Sequence, residues 1–169
     1  TSAIDGNNTI TLVSLSEGTY SNCTITVTDS AENVSNPLTI TLFIVDLTAA
    51  TLEEVTAVTT LTYDNTPDYT FSSSEAGTIT YGGSCSSITT SATTDNNTIT
   101  LNSLSDGTFW DCTITVTDSA GNNSVTRNIS LFVIDTTAPT VSSISPTDNQ
   151  SSVSITDNIT VTFPEEREN

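Results

Sequence analysis

No histidine, lysine or methionine occurs in the 169 residues, and only two arginines, Arg127 and Arg167, stand against 20 acidic side chains. Each absence closes a chemistry. Without histidine there is no Ser-His-Asp triad, no Cys-His pair and no His-ligated zinc. Without lysine there is no Schiff base, no phosphate-loop lysine and no Lys–Asn isopeptide crosslink. A formal net charge of −18 lacks the basic footprint that nucleic-acid binding needs, and it opposes an anionic membrane surface. No apolar run reaches membrane-spanning length. Paired carboxylates are the main catalytic device left, and no stretch builds a cleft around a pair of them. The chain reads as non-enzymatic, with no catalytic residue.

Serine and threonine fill more than a third of the positions, and Leu, Ile, Val and Phe about a quarter. That apolar share supports a lean core, and the wealth of β-branched threonine predicts an all-β fold. Acids at this excess keep a surface soluble and self-repelling, and they suit cation binding.

The nine residues Cys23–Ala31 recur letter for letter at Cys112–Ala120, an offset of 89. Ile and Val alternate there with Thr, the period-2 signature of a half-buried strand, and Asp-Ser-Ala followed by Glu-Asn or Gly-Asn ends it as a turn. At this offset 32 of the first 55 positions are identical. A period this long points to an array of separate domains. Residues 1–47 read as the C-terminal half of a repeat, 48–136 as one complete repeat, and 137–169 as the start of a further domain of different subtype. That last part holds a strand and turn from Val141, a strand at Ile159–Phe163 and the charged tail Glu165–Asn169.

In the complete repeat the alternation predicts strands at Leu52–Val58, Asp68–Ser73, Thr78–Tyr81, near Cys85–Ile88, Thr98–Leu101, Thr108–Thr117 and Val125–Ile134. The sixth should turn Trp110, Cys112, Ile114 and Val116 inward, with Thr113, Thr115 and Thr117 facing water.

Leu104-Ser-Asp-Gly-Thr-Phe, then Thr-Ile-Thr-Val-Thr-Asp-Ser-Ala-Gly-Asn, then Val-Ile-Asp-Thr-Thr-Ala-Pro139, resembles the tandem bacterial immunoglobulin-like (Ig-like) repeats of large surface adhesins and biofilm proteins. The last segment is similar to a second bacterial Ig-like subtype, departing from it at Pro164-Glu165, where that subtype has Ser-Glu after Thr-Phe. The resemblance implies tandem Greek-key β-sandwiches of about seven strands each, in a secreted stalk at the cell surface with any head domain elsewhere.

On that fold Cys85 and Cys112 fall in one domain, on neighbouring or facing strands, and a disulfide is the expected state; three buried free thiols are the alternative. Cys23 corresponds to Cys112 and is expected to be unpaired here, or paired with a neighbouring chain. The fold also gathers Asp46 in the linker, Glu75 in the Ser-Glu-Ala-Gly turn and Asp118 in the Asp-Ser-Ala-Gly-Asn turn at one end of the sandwich. Carboxylates converging without a base repel one another unless a hard cation intervenes, so calcium is the expected ion. Otherwise Asp118 caps its turn and Glu75 is solvated. Asp135 repeats the linker position at the next junction.

Two functions compete. A stalk or spacer would have as partners its neighbouring domains and, in a fibre, other copies of the chain. A binding module would recognise a glycan or host surface through its end loops. The loops visible in both copies are nearly the same, which favours the stalk.

Overall fold

The computed structural model describes residues 2–164. Every regular element among them is a β-strand. The first four are β1 (Gly18–Tyr20), β2 (Thr24–Ile25), β3 (Leu38–Thr39) and β4 (Phe43–Val45). Next come β5 (Leu52–Thr56), β6 (Asp68–Ser73), β7 (Gly77–Gly82), β8 (Ser91–Ala92) and β9 (Asp95–Thr100). They are followed by β10 (Gly107–Phe109), β11 (Thr113–Thr117), β12 (Arg127–Asn128) and β13 (Phe132–Ile134). The last two are β14 (Ser143–Ser145) and β15 (Thr160–Thr162).

Residues 48–136 build a two-layer sandwich. One layer has the order β5-β6-β9, the other β12-β11-β7-β8, and β10 pairs with β13. Side chains alternate as the pleat requires. Tyr69 and Phe71 of β6, Ile99 of β9, Ile79 of β7, and Ile114 and Val116 of β11 meet in one buried cluster with Phe132 and Ile134. With the split pairs β10/β11 and β12/β13 counted as one strand each, the sandwich has seven strands, the number the sequence predicts, though one of them lies elsewhere.

Five expectations change. Trp110 is not core; it is 74% exposed. The predicted strand 108–117 breaks between β10 and β11. Phe109 turns inward to stack on Phe132 with ring centroids 5.1 Å apart, and Cys112 is buried again three residues later. Two residues rather than one separate these inward side chains, so strict alternation fails and Trp110 faces outward; the facing strand makes the same step between Ile129 and Phe132, and the register is unchanged on either side. The predicted strand 125–134 divides in the same way. The strand expected near Cys85–Ile88 is absent: Gly83, at φ +71°, turns the chain out of β7, and Ser91–Ala92 pairs with β7 instead. Thr113, Thr115 and Thr117 are half-buried rather than open to water.

The earlier copy repeats the pairing without its covering layer. β1 pairs with β4 and β2 with β3 in the registers that β10–β13 and β11–β12 show 89 residues later. The Tyr20–Phe43 stack at 5.2 Å matches Phe109–Phe132. Beyond the sandwich, β14 and β15 pair antiparallel. The expected tail Glu165–Asn169 lies outside the described residues, as do Thr1 and Arg167.

Cys85 and Cys112 form a disulfide with Cα atoms 5.1 Å apart. It joins neighbouring strands of one layer, since Cys85 follows β7 and Cys112 precedes β11, which pair at Gly82↔Thr113. Cys23 is a free thiol, half-buried.

Candidate metal centre at the linker

Asp46, Glu75 and Asp118 converge. Each offers a carboxylate oxygen, and the three oxygens lie within 4.8 Å of one another; no other such cluster of three occurs among the described residues. Local chemistry places each one. Asp46 directly follows β4, and its Oδ1 accepts the Thr48 amide at 3.1 Å, an Asx turn that opens the linker. The Glu75 turn is pinned to the start of β5: Ser74 Oγ accepts the Thr51 amide at 2.9 Å, and the buried Ser73 hydroxyl donates to the Glu75 carbonyl at 2.6 Å.

Asp118 is 8% exposed and closes the turn after β11. Its Oδ1 accepts the amides of Ala120 and Asn122, each at 2.8 Å, and its Oδ2 accepts Asn122 Nδ2 at 2.9 Å. Asp29, in the earlier copy, holds its own turn through the same three bonds. The turn therefore needs this aspartate whether or not a cation is nearby. What differs at Asp118 is the company of Asp46 and Glu75.

The charges are felt unequally. Asp118 is held below the ordinary carboxylate range chiefly by the Asn122 side chain, with burial opposing and the turn amides assisting. Glu75, which gains no such donors, is pushed up by partial burial and then by the negative charges of Asp46, Asp118 and Glu17. Glu75 is the strained member of the group.

Two further residues belong to this place. Asn122 Nδ2 also donates to the Asp46 carbonyl at 3.1 Å, fastening the turn to the linker. Glu17 comes from the earlier copy, lines an open groove of about 340 Å³ beside Asp46 and Glu75, and accepts the Thr48 hydroxyl at 2.5 Å. The sequence carried a signal for Glu17: its counterpart 89 residues on is Asp106, in the same Leu-Ser-acid-Gly turn. Asp106 accepts the Thr136 amide at 2.9 Å and the Thr136 and Thr137 hydroxyls at 2.6 and 2.7 Å. Both turns thus grip the linker that follows. Asp135 repeats the Asx turn of Asp46, accepting the Thr137 amide at 3.0 Å, but no third carboxylate joins it among the described residues.

Tyr69 marks a second polar spot, inside the sandwich. Glu54 accepts the Ser130 amide at 3.0 Å and hydroxyl at 2.6 Å. The fully buried Tyr69 hydroxyl and Arg127 Nε lie close by without a hydrogen bond of normal geometry. These groups tie β5 and β6 to β12 and to the segment between β12 and β13.

A family model described as a bacterial Ig-like domain matches residues 135–168. The match begins two residues ahead of the boundary expected at Thr137. No curated protein and no solved structure matches the chain. The all-β, two-layer architecture is that of an Ig-like β-sandwich. No helix among the described residues is long and apolar enough to cross a membrane.

Proposed function

We propose that the chain is a segment of a non-enzymatic, extracellular stalk: tandem Ig-like domains divided near residues 47 and 136, whose first junction is stiffened by calcium held at Asp46, Glu75 and Asp118. The observation that carries the reading is the convergence of these three carboxylates from the linker and from two loops of the following domain. Calcium takes six to eight oxygen ligands and tolerates irregular geometry. Its charge would relieve the repulsion that pushes Glu75 up, and it would tie the linker to the sandwich. Domains held apart by a strongly acidic surface and joined by short, gripped linkers act as spacers. The bacterial Ig-like match supports placing them in a surface protein.

Calorimetric titration of the whole chain with calcium tests the metal assignment. Asp46→Asn should weaken binding at least about tenfold, as loss of one charged ligand does. Asp29→Asn should leave it unchanged, because Asp29 builds the same turn without the cluster. Absence of calcium heat, or equal binding by both variants, would refute the assignment.

A further inference from the structure

Four large apolar side chains of the complete sandwich, Leu61, Tyr63, Trp110 and Leu131, are each at least 55% exposed. Strand register gathers them on one face. Phe109 pairs with Phe132, and Thr113 with Asn128, at the same offset, so Trp110 falls opposite Leu131. On the other side of β13, Thr62 pairs in parallel with the buried Ile134. Its neighbours Leu61 and Tyr63 therefore lie on the outward face, with Leu61 beside the half-buried Val133. At ordinary strand spacing and rise, Trp110, Leu131, Val133, Leu61 and Tyr63 make a diagonal strip roughly 15 Å long.

The borders of the strip are negative. Asp111 follows Trp110, Asp64 follows Tyr63, and the Asp135 amide donates to the Thr62 carbonyl at 2.9 Å. The only cationic side chain among the described residues, Arg127, is half-buried beside Tyr69 and Glu54. A second copy of the chain on this face would set like charge against like. A cationic partner gains from the carboxylates, and Trp110 and Tyr63 offer ring faces to its ammonium or guanidinium groups. The earlier copy does not share the aromatic end of the strip, because Ser21 stands opposite Leu42 in the same register. Turns that grip a linker occur in both copies, whereas this feature belongs to one, as suits recognition rather than spacing.

We infer that this strip docks an extended, basic segment of a partner protein, in which apolar side chains alternate with lysine or arginine. About five extended residues span it. The apolar side chains cover Leu61, Leu131 and Trp110. The long cationic side chains lay their stems along the strip and reach the carboxylates of Asp64, Asp111 and Asp135 at its borders. The inference goes beyond the calcium reading and does not depend on it.

The test uses the whole chain in chelator and two short synthetic peptides of equal charge, one alternating lysine with leucine and the other lysine with serine. Trp110 is the only tryptophan, so its emission reports directly on the strip. The lysine–leucine peptide should shift that emission to the blue and bind at least about tenfold tighter than the lysine–serine peptide, because apolar burial adds to charge attraction. Leu131→Ser should weaken the lysine–leucine peptide about tenfold. Val125→Ser should not, since it alters an equally open apolar side chain six residues back along the chain. Asp46→Asn should bind as the unaltered chain does, which separates the strip from the junction acids. Equal binding of the two peptides, or an unaffected Leu131→Ser variant, would overturn the inference. So would a blue shift driven by chain concentration alone, which would put a second copy on the strip. A shift with cellohexaose and none with the peptides would assign the strip to a neutral glycan and overturn it equally.

Discussion

Breaking the Cys85–Cys112 disulfide should lower the stability of the 48–136 sandwich by about as much as truncating a large core side chain. The bond closes a separation of 27 residues. The chain-entropy relation for a loop of that length gives about 3.5 kcal/mol at 25 °C. Small domains have only about 5–15 kcal/mol in total, and for a domain of this size each kcal/mol moves the midpoint by roughly 4–8 °C. The expected drop is therefore on the order of 15–25 °C. Scanning calorimetry of a Cys23→Ser chain, oxidised and then reduced, isolates the effect, because the free thiol that would reshuffle the bridge is gone. Cys85→Ala/Cys112→Ala should fall slightly further than reduction, since both sulfurs are buried and their packing goes too. The denaturant m-value should rise on reduction, as an unlinked unfolded chain exposes more surface. A shift of only a few degrees with an unchanged m-value would refute the reasoning, and the lean core would then carry the fold unaided.

Gly83→Ala should destabilise by about 1–3 kcal/mol: the residue sits at φ +71°, and an added Cβ would land on the Asp111 carbonyl. Urea unfolding checks this, with the exposed Gly6→Ala as the milder comparison. Tyr69, pushed up to about 12 mainly by burial and then by the Glu54 charge, should show no phenolate absorbance near pH 10 while folded. Its raised folded pKa means that stability is intact below the unfolded value and falls between about pH 10 and 12; Tyr69→Phe should flatten that alkaline limb. Glu54 runs the other way. Burial alone would raise it, but the Ser130 hydroxyl and amide hold it below its usual value. Its contribution is present above the unfolded pKa and is lost as acid titrates it below about pH 4.5, so Glu54→Gln should soften the acid limb of a pH-dependent melt.

Much of this was readable from one sequence because repetition and alternation are local signals. β6 begins and ends where the Asp-Tyr-Thr-Phe-Ser-Ser alternation says it should, and the cysteines pair as their shared domain implied. Placing three turns at one end of a sandwich brings Asp46, Glu75 and Asp118 into one neighbourhood, and their carboxylate oxygens lie within 4.8 Å of one another. Alternation carried straight through position 111 turns Trp110 inward, and nothing local announces that both paired strands break alternation together, between Phe109 and Cys112 and between Ile129 and Phe132. The segment at Cys85 reads as a strand but is a turn, held by hydrogen bonds that reach across the fold: the Asn102 amide donates to the Ser86 carbonyl and the Ser87 hydroxyl to the Thr100 carbonyl. The sequence is silent on the roles of Glu17 and Asp106 for a different reason. Their equivalence was visible, but their task, holding a linker about 30 residues away, appears only once the chain is folded.

Melting the whole chain and its Glu75→Gln variant in calcium and in excess chelator tests whether calcium locks the first junction. A reversal of order is expected. In chelator Glu75→Gln should melt above the unaltered chain, because it removes the carboxylate repelled by Asp46, Asp118 and Glu17. In calcium at about 100 times its dissociation constant, the unaltered chain gains roughly 2.7 kcal/mol and should melt above the variant. The same order in both conditions, with midpoints indifferent to calcium, would contradict a calcium-locked junction.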